Sequence, residues 1–173
     1  MNKLNLNAAL INFLESDNEE VLLEALIEIR ANGDITIAPI LIDILNKVDR
    51  LTISNEIVNL LVDIRDLKII TILLKEIESK KHEKILDKIV SVCWQSGLNY
   101  ANYISVFSKL VANAPIIVAI EAFTVVETNI ENLNHEQIHE QIDLLKSEIK
   151  NCNKDNKVLI SELIGVLSEH NCS

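Results

Sequence analysis

Apolar residues recur along this chain at helical spacing, and the clearest stretch lies between residues 18 and 31. There the order Val21-Leu22-Leu23-Glu24-Ala25-Leu26-Ile27-Glu28-Ile29-Arg30 places Glu20, Glu24 and Glu28 four apart on one line, with almost everything else apolar. So thin a polar stripe predicts a helix that is covered on more than one side. Its start is signalled by Asp17-Asn18-Glu19-Glu20, where Asp17 and Glu20 have capping-box spacing. Its end is signalled by Asn32-Gly33, because glycine can take the left-handed conformation just past a helix.

The same phrase returns four times. Leu22, Leu26 and Ile29 are echoed by Ile57, Leu61 and Ile64, then by Ile85, Ile89 and Val92, by Ala119, Phe123 and Val126, and by Leu159, Leu163 and Val166. The offsets are 35, 28, 34 and 40 residues, the range in which self-similarity signals a solenoid of helical hairpins. Second helices are expected between these first ones, at about 37 to 48, 67 to 78, 100 to 112 and 135 to 150. In the one at 67 to 78, Lys68, Thr71, Lys75 and Glu78 form a solvent stripe against a background of Leu and Ile. A four-helix bundle is the other architecture that this pattern fits.

Residues 16 to 47 resemble a HEAT repeat. The layout matches: a first helix Asn18 to Ala31, a Gly33-Asp34 turn, and a second helix with Pro39 near its start, where a missing N–H costs nothing. Motif-level likeness is concentrated in that one unit, and periodicity extends it across the chain. The expectation is an all-α, HEAT-like α-solenoid of about four to five stacked antiparallel helix pairs. It would form a single domain over residues 1–173, with 1–16 as an N-terminal cap helix and 155–170 as a closing helix. The resemblance implies a curved stack whose second helices line a concave binding face, as in scaffolds and adaptors.

Composition adds limits. Only 3 Gly and 2 Pro are present in 173 residues, too few turn residues for a chain built from many strands. No apolar run approaches the roughly 18 residues that span a bilayer, and Asn2, Asn5 and Asn7 interrupt the first segment, which does not read as a signal peptide. Cys93, Cys152 and Cys172 are an odd number without metal-site spacing and suit buried or incidental thiols of a reducing compartment. A cytoplasmic protein is expected, and the abundance of Ile, Asn and Lys suits an AT-rich bacterial source. Net charge is −10, with acidic ends and a mildly basic middle, which disfavours general binding to a phosphate backbone.

One catalytic motif stands out, His135-Glu136-Gln137-Ile138-His139. An HExxH places two imidazoles on one helical face for zinc with the glutamate as base, so a zinc-dependent hydrolase is the alternative reading from another class. Against it, Asn134 and Gln137 have capping-box spacing, which puts His135 at a fraying helix start. The positions that would continue the motif as a metzincin hold Ile142 and Leu145, leaving Glu162 as the one loosely placed third ligand. The repetition His-Glu-Gln-Ile-His-Glu-Gln-Ile reads more simply as a surface stripe.

Four of the six aromatic residues, Trp94, Tyr100, Tyr103 and Phe107, fall within fourteen residues. Trp94 and Phe107 are expected to pack one helix on the next, and Tyr100 and Tyr103 to be the exposed pair available to a partner. The one basic run, Lys80-Lys81-His82-Glu83-Lys84, reads as a solvated turn, and the segment 80–88 supplies a third reading, nucleic-acid binding. Gly33, Gly97 and Gly165 are isolated and form no phosphate loop. The reading that follows is a non-enzymatic protein-protein interaction scaffold or adaptor, acting through Lys68, Thr71, Lys75, Tyr100 and Tyr103. It has no catalytic residue, bound metal or cofactor, its partner is a protein that could be a second copy, and neither nucleic acid nor membrane is a partner.

Overall fold

A computed structural model describes residues 18–79 and 81–171. Among these, every regular element is a helix. The α-helices are α1 (Glu19–Asn32), α2 (Ala38–Leu45), α3 (Leu51–Asp63), α4 (Lys68–Ser79), α5 (Leu86–Gln95), α6 (Ile104–Asn113), α7 (Ile116–Asn129), α8 (His135–Glu148) and α9 (Lys154–Asn171). Short 3-10 turns precede α2, α5 and α6 and follow α7. No helix of the described residues is long and apolar enough to cross a membrane. The proposed cap helix in 1–16 lies outside the described residues, as do Asp17, Lys80 and Cys172.

Local chemistry explains several boundaries. Asn18 starts α1, its side chain accepting a hydrogen bond from the Glu20 N–H at 2.9 Å, so the observed cap is one residue later than the expected Asp17 box. Gly33 ends α1 with φ −69°, in extended rather than left-handed backbone, and its N–H meets the Ile29 carbonyl. Glycine is needed there for closeness instead, because a Cβ would stand 2.6 Å from that carbonyl oxygen. The left-handed glycine is Gly97, at φ 65° after α5. Asp34 caps the turn into α2, and Pro39 sits in the first turn of that helix.

Although the sequence contains no linker, the described residues gather into two compact units that divide between Val92 and Cys93, inside α5. Within the first unit α1 packs on α3, and α2 packs on both α3 and α4. Leu26, Leu41, Ile42, Ile53, Ile57, Leu61, Ile69 and Leu73 are closed to solvent or nearly so. Burying such side chains contributes about 1.5–3 kcal/mol each relative to leaving them exposed.

In the second unit α6 packs on α7, α8 and α9, and α9 also meets α7 and α8. Two buried asparagines tie this unit together. Asn156, wholly buried at the start of α9, donates from Nδ2 toward the carbonyls of Val111, Ala112 and Ala114 at 2.8, 3.2 and 3.0 Å, where α6 ends. Helix ends leave carbonyls without intrahelical partners, so α9 supplies the missing donor. Asn129 accepts from the Tyr100 N–H at 2.7 Å and donates to the Val125 carbonyl at 2.9 Å.

Candidate functional site

The expected stripe on α4 is present in full. Lys68, Thr71, Lys75 and Glu78 are all exposed, whereas Ile69, Ile70, Leu73, Leu74 and Ile77 are buried. Asp66 holds the start of this helix by accepting from the Lys68 N–H at 2.9 Å. Two ammonium groups seven residues apart on one helix stand about 10 Å apart along its axis, which offers a cationic strip with a hydroxyl between.

The two tyrosines do not behave alike. Tyr103 is 42% exposed, but Tyr100 is fully buried, which corrects the expectation of an exposed pair. The physical reason is that Tyr100 precedes the 3-10 turn Ala101–Tyr103 instead of sharing a helix with Tyr103, so helical i, i+3 spacing does not apply. Asn129 holds its backbone, and its ring meets Phe107 edge to face with centroids 5.6 Å apart. Burial pushes the Tyr100 phenol well above its ordinary value, and it pushes the neighbouring Cys93 thiol up to about 12, which leaves that cysteine a poor nucleophile. Phe107 is buried as expected, and half-buried Trp94 donates from its indole nitrogen to Glu121 of α7 at 2.6 Å. Lys68, Thr71 and Lys75 therefore share one face of the first unit, and Tyr103 belongs to the second.

The HExxH residues open α8. The capping box forms as its spacing predicts: the Gln137 N–H donates to Asn134 Oδ1 at 2.8 Å, and Gln137 Oε1 accepts from the Asn134 N–H at 3.0 Å. Both imidazoles are exposed and share one amide. His135 Nδ1 lies 2.7 Å from Asn171 Oδ1, and Asn171 Nδ2 lies 3.2 Å from His139 Nε2. With His135 donating and His139 accepting, the carboxamide satisfies both rings. No cluster of three or more His, Cys, Asp or Glu able to hold a metal ion occurs among the described residues.

The basic run disperses. Lys81, Glu83 and Lys84 are exposed, but His82 is buried, its side chain only 2% exposed. His82 Nδ1 lies 2.7 Å from Glu76 Oε2 of α4, and its Nε2 lies 3.0 Å from Asp43 Oδ1 of α2. Lys81 Nζ donates to the same Asp43 oxygen at 2.6 Å and, with His82 assisting, holds the Asp43 carboxyl below its ordinary value. Half-buried Lys88 donates to Ser54 Oγ at 2.6 Å. Residues 81–88 thus spend much of their polar chemistry on their own unit.

A cleft of about 370 Å³ lies where α1 and α3 end, lined by Ile29 and Ile64 of the repeated phrase together with Arg30, Asp63, Arg65 and Asp66. Arg30 is engaged by Asp63 and Glu56 there. Comparison with models of protein families, with characterised proteins and with solved structures found no match.

Proposed function

We propose that the chain is a HEAT-like α-solenoid acting as a protein-protein interaction scaffold or adaptor in the cytoplasm, with no catalytic role. The observation that carries this reading is the α4 stripe, on which Lys68, Thr71 and Lys75 project to solvent from a helix whose other faces are buried. Support for stacked pairs comes from contacts between alternate helices: α1 with α3 and α2 with α4 in one unit, α6 with α8 and α7 with α9 in the other. Helical hairpins stacked in sequence make contacts of this kind. A partner with an acidic surface fits the strip, since opposite potentials favour association and register. Tyr103, with an apolar ring and a polar tip, is the second contact proposed.

The test is affinity capture from native cells with the wild type, a Lys68→Glu/Lys75→Glu variant and a Tyr103→Ala variant, each first shown to be folded by circular dichroism. A protein held by the wild type and lost with reversed charges supports the stripe as the binding face. Equal capture by the wild type and the charge-reversed chain removes the stripe from the reading, and no specific capture at all counts against the scaffold itself.

A further inference from the structure

We propose that the contact between His82 and Glu76 is a proton-dependent clasp, in which a single hydrogen held between Nδ1 and Oε2 keeps the turn after α4 closed against α2 and α4. A neutral imidazole has one N–H and one lone pair, whereas both ring nitrogens of His82 face carboxylate oxygens, at 2.7 and 3.0 Å. Asp43 stays ionised beside Lys81, so Nε2 must donate to it. That leaves Nδ1 opposite Glu76 Oε2 at hydrogen-bond distance, and two lone pairs at 2.7 Å repel unless a hydrogen lies between them.

Four groups make up the assembly. Asp43 comes from α2, Glu76 from the last turn of α4, and Lys81 and His82 from the turn, while Glu83 and Lys84 beyond it are exposed. The imidazole itself is closed to solvent and the Glu76 side chain is 15% exposed, so water cannot readily take the place of the missing hydrogen. The pH direction follows from the chemistry. Removing the hydrogen in alkaline solution leaves an unpaired contact and loosens the turn, and restoring it closes the turn again. Backbone pairing reports this directly, because the Ile85 N–H donates to the His82 carbonyl at 3.1 Å. Glu76, in the last turn of α4, directly follows Lys75, so the clasp would tune the proposed binding strip, although its test requires no partner.

The experiment follows the His82 ring nitrogens by long-range proton–nitrogen NMR from pH 5 to 9 and measures amide exchange at Ile85, corrected for the intrinsic pH effect. The expected result is a Nδ1 hydrogen present at low pH and lost on the alkaline side, with Ile85 protection falling about tenfold or more in step. Glu76→Gln is the decisive variant. Its carboxamide can donate to the lone pair of a neutral ring, so protection at Ile85 should become independent of pH to within about twofold. A ring that stays a neutral Nε2–H tautomer throughout, with Ile85 protection unchanged by pH, overturns the proposal. So does a Glu76→Gln chain that loosens with pH as the wild type does.

Discussion

His82 and the pair His135/His139 are placed in opposite ways. The pair stands in the one motif of this chain with a catalytic precedent, yet both rings are exposed and share a single amide from Asn171. His82 stands in a charged turn whose spacing reads as solvated, yet it is buried and bonded through both nitrogens to carboxylates of two helices. Local spacing sets which groups can meet. Burial decides what their meeting is worth, because water competes for every bond made at the surface and for few of those made inside.

The sharpest way to break this contrast is His82→Ala. It leaves Asp43 and Glu76 without the ring between them, and a loss of about 3 kcal/mol in urea unfolding is expected, less if solvent reaches the half-exposed Asp43. A loss under about 0.5 kcal/mol would mean that the buried ring contributes no more than a surface one. Asn156→Ala comes next, at about 2 kcal/mol, since it strips the donor from buried carbonyls at the end of α6. Faster amide exchange at the start of α7 should accompany it, and unchanged stability would remove the capping role given to Asn156.

A smaller effect concerns acid. Asp43 has its carboxyl lowered chiefly by Lys81, so its contribution is present above the ordinary aspartate value and is lost as pH falls through the lowered folded value. Asp43→Asn should therefore flatten the acid side of the stability profile by under about 1 kcal/mol, its carboxylate being half-exposed. An unchanged profile below pH 4 would show that Lys81 gives it no net support. Asn171→Ala should be the mildest, within about 0.5 kcal/mol, because both of its imidazole contacts are open to water. A large loss there would erase the contrast from the other side.

Much of the helical layout was legible along the chain. α1 and α9 begin and end within a residue or so of their expected bounds, and the Asn134–Gln137 box forms as its spacing requires. The stripe of Lys68, Thr71 and Lys75 was legible for the same reason: i, i+3, i+7 on an otherwise apolar helix leaves a single line for water. The burial of Tyr100 was not legible because it precedes a 3-10 turn that ends at Tyr103, where α-helical spacing has no meaning. The burial of His82, in a run that reads as a solvated turn, was not legible because one of its carboxylates lies 39 residues away, and its neighbours in sequence, Lys81 and Glu83, are exposed. Asn156 gave no signal either, since an asparagine in a first helical turn is ordinary and its carbonyl partners lie 42 to 45 residues back.

By itself the sequence determined that this protein is built from helices, the bounds of several of them to within a residue or two, and the line of α4 that meets water. These follow from contacts within a turn or two, so a short window of residues contains their causes. Only the tertiary structure decided that packing gathers into two units, that Tyr100 is core, and that one histidine became an internal strut while two others stayed at the surface. Those outcomes depend on groups far apart in the chain meeting in a space that excludes water. No local pattern encodes which distant carboxylate or carbonyl will be there to meet them.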